Sequence, residues 1–581
     1  MRRLGAYLLM GLTVGWLLTG CSDSDVADKA TPPDILDCFN NEGYAYLSLD
    51  IEVPADNTMR AVGTPENGTG ESDVKTVTLI LFHGASTDGE DAVTVCSSYV
   101  IGSPSTTTIA SGLIDKQVDK RTVRISNKNI NAGDRLYALA VLNILPTIAD
   151  GTSFSDVKTM SMPDIGNKTD GFAMANAPLS SKAGDTSNPS GATVTTLVEI
   201  PSTSIKDTED AAAGVPTAIY VERAAVKVTA GIPEGKDSIK LNNTGKDLQK
   251  TDIAVALDRY NTSYHLTRQF DKSWLGYRAT SAGSTYTYRM VEASEMQTGA
   301  GVYRTNWGKD ANYDADATDL SGITDFVTLD NNPLYYCAEN TFDITRQTLR
   351  NTTALIVRIK VYDGDFYTVS VEGSLVYTPD DSENTEEGTS ASESFARRRA
   401  ASDDKINSYL VDWLAGQPEV KTWLDTHAEG NKKWLKVEIG TPDTPEAKGV
   451  CTVTVSQTRH ASDSPENIEF LALYDGLNGY VNSKLTIKKY TDGYCYYRVP
   501  IKHFGDSLTP WVTGDYTAEN HLGRYGVVRN HWYDTTIEAV NRIGEPVIPP
   551  ADDTRDDSAE EALSLRVAIM PWLDQSQEIK E

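Results

Sequence analysis

The sequence predicts a mainly β protein made of two tandem β-sandwich domains, and three observations carry that prediction. Apolar residues make up 39% of the 581 positions, and Thr, Tyr, Val and Ser are plentiful, a mixture that suits half-buried pleated surfaces. Runs of alternating or continuous apolar residues recur at short intervals between turn-forming clusters. Few stretches have helical spacing. A chain of this length can hold several domains, each with a full core.

The N-terminus is an address. Arg2 and Arg3 precede a mostly apolar run, Leu4 to Leu18, that is short for a membrane span. It ends in Leu18-Thr19-Gly20-Cys21, which resembles a lipoprotein lipobox, so residues 1–20 read as a signal peptide and Cys21 as the lipidated residue. An ordinary secretory signal with an incidental cysteine is the alternative. The acidic stretch Ser22-Asp23-Ser24-Asp25 resembles a surface-export signal of Bacteroidia lipoproteins. No later segment is apolar enough to span a bilayer, so the expected membrane attachment is through lipid.

Tyr44 to Val53 is the first strand, with Leu47, Leu49, Ile51 and Val53 on one face because side chains alternate. A turn-rich stretch from Pro54 to Gly63 follows. Val74 to Phe82, Thr122 to Ser126 and Arg135 to Leu142 are further strands, the last nearly all apolar and so central. Residues 160 to 200 read as loops with a short strand at Thr195 to Ile200. A second domain opens at Ala218 to Val228, and later strands are Ala354 to Tyr362, Val450 to Val455 and Tyr494 to Ile501. Asp380 to Asp404 is polar throughout and predicts a mobile loop. Ile406 to Leu424 has helical spacing broken near Gly416 and Pro418, predicting one or two short helices packed on the sheet.

The chain ends in a second alternating row. Leu563, Leu565, Val567 and Ile569 share one face of a strand that runs to Met570, before Pro571-Trp572, and it has no obvious partner. Its apolar row matches that of the first strand, so one could occupy the other's slot. The tether before it, Pro546 to Glu561, is Pro-rich and then acidic, and fully extended would span about 50 Å. An edge strand of its own C-terminal sandwich is the alternative, for which so long a polar tether is wasteful.

Composition and motifs exclude several functions. With 82 acidic against 53 basic residues, a net charge of -29, no basic face is available for nucleic acid. Asp310, Asn312 and Asp314 imitate the start of a calcium loop, but Ala315 and Ser321 stand where glycine and glutamate are needed. Gly231 to Lys236 is too short for a phosphate loop. The seven histidines form no metal or catalytic motif, and no metal, cofactor or enzymatic activity is expected. Arg397-Arg398-Arg399 reads as a solvated run. Cys451 and Cys495 could pair, although buried free thiols fit equally.

Taken in order along the chain, these segments resemble a fimbrillin of the Bacteroidia type V pili, closest to the shaft subunit of the short, Mfa-type fimbriae. The resemblance rests on the lipobox, the segment ending Met59-Arg60-Ala61, the strand RLYALAVLN from Arg135, and Val221 to Lys227. It also rests on ALIVRIKV from Ala354, the segment GVVRNHWYDTTIEAVNRIGEP, and the tether and strand that follow. It implies two transthyretin-like sandwiches, residues 61–215 and 216–545, with a helical decoration at about 380–430 in the second. Residues 546–581 would be tether and donor strand. It further implies that an arginine-specific surface protease cuts between Arg60 and Ala61, releasing propeptide 21–60 with its removable strand. The donor strand of another copy would then fill the slot head-to-tail.

Expected partners are therefore further copies, accessory anchor and tip subunits, the protease, host or bacterial surface receptors, and the outer membrane through the precursor's lipid (palmitate). The expected location is a cell-surface fimbrium that acts in adhesion, co-aggregation, biofilm formation and virulence. Two other readings remain open. One is an accessory or tip fimbrillin. The other is a surface glycan-binding lipoprotein presenting Trp413, Trp423, Trp434 or Trp511.

Overall fold

A computed structural model describes residues 33–53, 70–101, 106–111, 114–185, 188–241, 246–278, 288–293, 301–315, 320–371, 374–377, 403–427, 435–440, 449–457, 477–510, 516–555 and 563–571. Its first layer pair lies in one ten-stranded sheet that folds over on itself. The main path runs Thr94–Ile101, Val77–Ala85, Asp134–Leu142, Met174–Asn176, Thr217–Arg223, Tyr44–Val53, Ile114–Ser126, Thr106–Ser111. Leu47, Leu49, Ile51 and Val53 meet Leu79, Leu81, Leu136 and Ala138 in one core, as two facing layers of a sandwich require. Asp134–Leu142 is central, as its continuous apolar run predicts. Its even-numbered residues from Leu136 onward enter that core, and Leu139 and Val141 enter a second cluster with Phe82 and Phe154 on the other face.

Thr217–Arg223 binds both layers. Residues Thr217 to Tyr220 pair with the first strand, whereas Val221 to Arg223 pair with Met174–Asn176. The expected single opening strand at Ala218 to Val228 is in fact two strands. The chain passes through buried Ala224 and enters Ala225–Gly231, which belongs to another sheet. The change of sheet thus falls at Ala224 rather than between residues 215 and 216, a shift that the uninterrupted apolar pattern conceals.

The second sandwich faces a six-stranded sheet against a four-stranded one. The first contains Asp247–Gln249, Ser238–Leu241, His531–Val540, Ala225–Gly231 and Leu334–Ala338, with Leu563–Pro571 on the flank of His531–Val540. The other runs Val327–Thr328, Ile253–Asp258, Ala354–Lys360, Tyr494–Pro500. Val226, Val228, Val255, Val357, Tyr533 and Ile537 fill the space between them.

The helical segment is more than a decoration on that sheet. Helices Asp403–Ala415 and Pro418–His427 pack on Phe366–Val371, Leu435–Ile439, Val453–Gln457 and Leu485–Tyr490 around a separate core. Leu410, Leu414, Val420 and Leu424 are all buried there. The break falls at Gly416-Gln417, and Pro418 opens the second helix, where its missing N–H costs nothing. Asp403 and Asp404, expected in the polar loop, begin the first helix. Residues 380–402 of that loop, with Arg397 to Arg399, lie outside the described residues. The expected strand Val450 to Val455 is two short pieces, Val450–Cys451 and Val453–Gln457, in different sheets. Among the described residues all five cysteines are free thiols, Cys451 and Cys495 included.

The two terminal strands as candidate assembly site

The first strand is enclosed. Leu47, Leu49 and Ile51 are 0% and Val53 3% exposed. All ten residues pair antiparallel with Ile114–Ser126, from Tyr44 opposite Ser126 to Val53 opposite Gln117. Its other edge pairs parallel with Thr217–Arg223 at Leu49 to Glu52, and antiparallel with Ile205–Lys206 at Tyr46 and Leu47. A strand so placed cannot leave without opening a lined slot between two others. Cys21, Arg60 and Ala61 lie outside the described residues.

The last strand does have a partner within its own chain. Leu563 to Pro571 run antiparallel to His531–Val540, with a bulge between Ile537 and Ala539. The alternative considered for it, an edge strand of the C-terminal sandwich, is its position here. The sequence hides this because the partner precedes it by more than twenty residues, across a tether with no hairpin signal. Leu563 is 1% exposed within the second core, and Leu565 packs partly against that core. Val567 is half-buried, and Arg566 is exposed, 3.6 Å from Glu538. The side chain of Ile569 lies outside the described residues. Among the described residues the strand pairs along one edge only.

The tether is not a free extension over its whole length. Glu545 and Tyr496 exchange backbone hydrogen bonds of 2.9 and 2.8 Å. Gly544 is required beside them, because a Cβ there would lie 2.4 Å from the Tyr496 carbonyl oxygen. The chain stays on its own sandwich as far as Arg555, so the 50 Å reach expected for the tether does not apply to that stretch.

Where the two sandwiches meet lies a buried charged network that sequence reasoning missed. Arg268 holds Glu222 through Nε at 3.1 Å and Nη2 at 2.7 Å, both residues nearly inaccessible. Arg529 holds Glu339 through one carboxylate oxygen, Nε and Nη2 both donating to Oε1, Nε at 2.8 Å. Lys227 Nζ donates to both Glu71 carboxylate oxygens at 2.8 and 3.0 Å, and the Tyr336 hydroxyl donates at 2.5 Å. Arg223 Nε donates to the Glu71 carbonyl at 2.9 Å, and its Nη2 donates to Ser72 Oγ at 2.6 Å. The chain just beyond residues 54–69 is therefore pinned at the junction, independently of the first strand.

Burial dominates the electrostatics. It raises the Glu222 carboxyl above its usual range, while Arg268, Arg529 and Arg304 oppose it. It pushes Glu292 up to about 7 despite Arg304, and pulls the Lys227 amine down against the pull of Glu71. A usable signal was present in the sequence, namely charges inside apolar strands at Glu222, Arg223 and Lys227, and Arg529 in the segment GVVRNHW. Such residues survive in a core only when paired. The calcium-like Asp310 is also buried. It accepts from Asn261 Nδ2 at 2.9 Å and the Thr341 amide at 2.8 Å, tying loops together. Among the described residues no cluster of His, Cys, Asp and Glu could hold a metal ion, and no helix is long and apolar enough to cross a membrane. Of the candidate tryptophans, Trp413 is half-buried and faces the exposed Tyr480, and Trp423 is buried. Trp434 and Trp511 lie outside the described residues.

The fold and its ends define a mainly β protein of tandem sandwiches in which one terminal strand is central and the other peripheral. Residues 488–578 match the family model described as major fimbrial subunit protein type IV, fimbrillin, C-terminal. No curated protein sequence matches the chain. Among solved structures, it is similar to a fimbrilin from Porphyromonas gingivalis W83, at 12% identity and TM-score 0.33 over 92% of this chain and 98% of that one. A putative cell adhesion protein from Parabacteroides distasonis gives 12% and 0.32, over 91% and 99%. The tip fimbrial protein Mfa3 from Porphyromonas gingivalis with C-terminal truncation gives 10% and 0.30, over 90% and 100%. At such TM-scores these likenesses carry no argument of their own.

Proposed function

We propose that this chain is a structural fimbrillin of the pilus shaft, polymerising by protease-activated donor-strand exchange, with no catalytic role. The observation that carries the reading is the unequal seating of the two terminal strands. It is supported by the family match over residues 488–578, which takes in both the last strand and its partner strand. A lipidated precursor, anchored at the outer membrane through Cys21, is cut after Arg60. The first strand leaves, and a slot opens between Ile114–Ser126 and Thr217–Arg223. Leu563, Leu565, Val567 and Ile569 of another copy fill it, which is a form of β-augmentation.

Each part has a physical basis. Four large aliphatic side chains contribute roughly 6–12 kcal/mol when buried, and ladder hydrogen bonds add to this. Peeling an edge strand from its own sheet breaks only one ladder, so the donor is released more easily than the acceptor would lose its new strand. Donor and acceptor surfaces differ, so the contact propagates head-to-tail into an open filament. A shaft subunit needs both surfaces, and the last strand favours that reading over a tip subunit. The fimbriae would serve adhesion, co-aggregation and biofilm formation, together with accessory anchor and tip subunits.

The test is digestion of purified precursor by an arginine-specific protease, followed by electron microscopy and N-terminal sequencing. Filaments whose subunits begin at Ala61 are expected, and Arg60→Ala should leave uncut monomer. Filaments starting elsewhere, or filaments from protein lacking residues 563–581, would overturn the reading.

A further inference from the structure

Between the second sandwich and the last strand, the chain makes a series of contacts that do not involve that strand. Arg498 Nε donates to the Pro549 carbonyl at 2.8 Å, and its Nη2 lies 2.6 Å from Asp258, both side chains nearly inaccessible. The Arg350 amide donates to the Asp552 carbonyl at 2.8 Å, and the Leu349 amide to the Thr554 carbonyl at 3.0 Å. The Arg350 guanidinium grips Asp553, its Nε 2.9 Å from Oδ1 and its Nη2 3.3 Å from Oδ2. Arg555 Nη2 donates to the Thr345 carbonyl at 2.6 Å, with its guanidinium 5.2 Å from the centre of the Tyr516 ring. The Tyr516 hydroxyl donates to the Arg555 carbonyl at 3.3 Å.

The exposed Arg350–Asp553 pair adds little in water. The strength lies in the two backbone bonds that the 349–350 turn donates to the segment, and in Arg498, already oriented by Asp258. Basic side chains on the body meet an acidic, proline-bearing segment, so the contact is complementary in charge and the prolines lower the entropy cost of holding it.

We propose that residues 549–555 are a mooring strap that stays docked on its own subunit when the last strand is donated. Only residues 556–562 then set the reach to the neighbour. This rests on the donor-strand reading and adds a length limit to it. Eight residue steps separate Arg555 from Leu563, and at about 3.5 Å each they span at most about 28 Å. The next subunit's slot must open within that radius, and a pull along the filament is delivered to Arg498 and the 345–350 loop rather than to His531–Val540.

Protease-cut protein lacking residues 558–561 tests this, with filament yield as the readout. A moored strap predicts at least a tenfold loss of filaments, because the remaining linker is too short. It also predicts that adding Arg498→Ala, with Asp258→Asn so that no buried charge is left unpaired, and Arg555→Ala to the shortened protein restores them, since the freed strap lengthens the linker. Full assembly of the shortened protein, while removal of residues 563–581 still blocks it, would overturn the strap and leave donor-strand exchange intact. Failure of the two arginine changes to restore filaments would also overturn it. Filaments without residues 563–581 would remove the donor-strand reading and the strap together.

Discussion

The first and last strands carry nearly the same apolar row and are held in opposite ways. Tyr44–Val53 has neighbours on both edges, and Leu47, Leu49 and Ile51 are sealed from solvent. Among the described residues Leu563–Pro571 has one neighbour; Leu563 is sealed, and Leu565 and Val567 remain half-buried. Taking away a central strand exposes two edges and a core, whereas taking away an edge strand bares a single edge. Hydrophobic content alone therefore does not make a donor or an acceptor; position in the sheet does. On the donor-strand proposal, a strand half satisfied at home would gain burial by moving into a slot that seals all four of its apolar residues.

The largest expected effect separates the two strands by stage of assembly. Leu49→Ala should cost the precursor about 2–5 kcal/mol, as for a fully buried leucine, measured by denaturant unfolding. The same change should leave cut, assembled filaments unaffected, because residue 49 has been released. Equal damage to precursor and filament would break the comparison.

Next comes a pH effect at the slot's wall. Arg304 donates to the Val221 carbonyl on Thr217–Arg223 and is the main charge opposing the burial of Glu292. With its carboxyl raised to about 7 from 4.5, the folded protein holds a proton that the unfolded chain releases between those pH values. This contribution to stability is therefore present at low pH and lost as pH climbs from about 4.5 to 7. Glu292→Gln should match wild type near pH 4.5 and exceed it above pH 7, by up to about 3 kcal/mol. A difference that is flat with pH would contradict this account of the site.

Val567→Ala should reverse the pattern of Leu49. In the monomer, where the side chain is half-buried, the loss should be about 1 kcal/mol or less. In filaments, where the slot encloses it, assembly should weaken by more, read as a higher critical concentration. Arg566→Ala is the smallest case. Its ion pair with Glu538 spans 3.6 Å with both side chains largely exposed, so a change within about 0.5 kcal/mol is expected in thermal unfolding.

What could be read in the sequence follows from what leaves a local pattern. Alternation revealed both terminal rows, and a continuous apolar run marked Asp134–Leu142 as central. Pairing across long separations leaves no such trace, so the partner of Leu563–Pro571 and the change of sheet at Ala224 emerged only in three dimensions. The Glu71–Lys227 and Glu222–Arg268 pairs were hidden for the same reason. Each member is an ordinary charged residue until its partner, 156 or 46 positions away, is brought beside it. The separate core around Leu410, Leu424 and Val455 escaped notice because its strands are short and two of them read as one.

The measurement closest to the central claim is a cryo-electron microscopy map of filaments assembled from protease-cut protein, at a resolution that shows side chains. The account predicts that Leu563, Leu565, Val567 and Ile569 of a neighbouring copy lie between Ile114–Ser126 and Thr217–Arg223, and that each subunit begins at Ala61. Filaments in which Leu563–Pro571 still lies along its own His531–Val540, with that slot occupied by anything else, would contradict it.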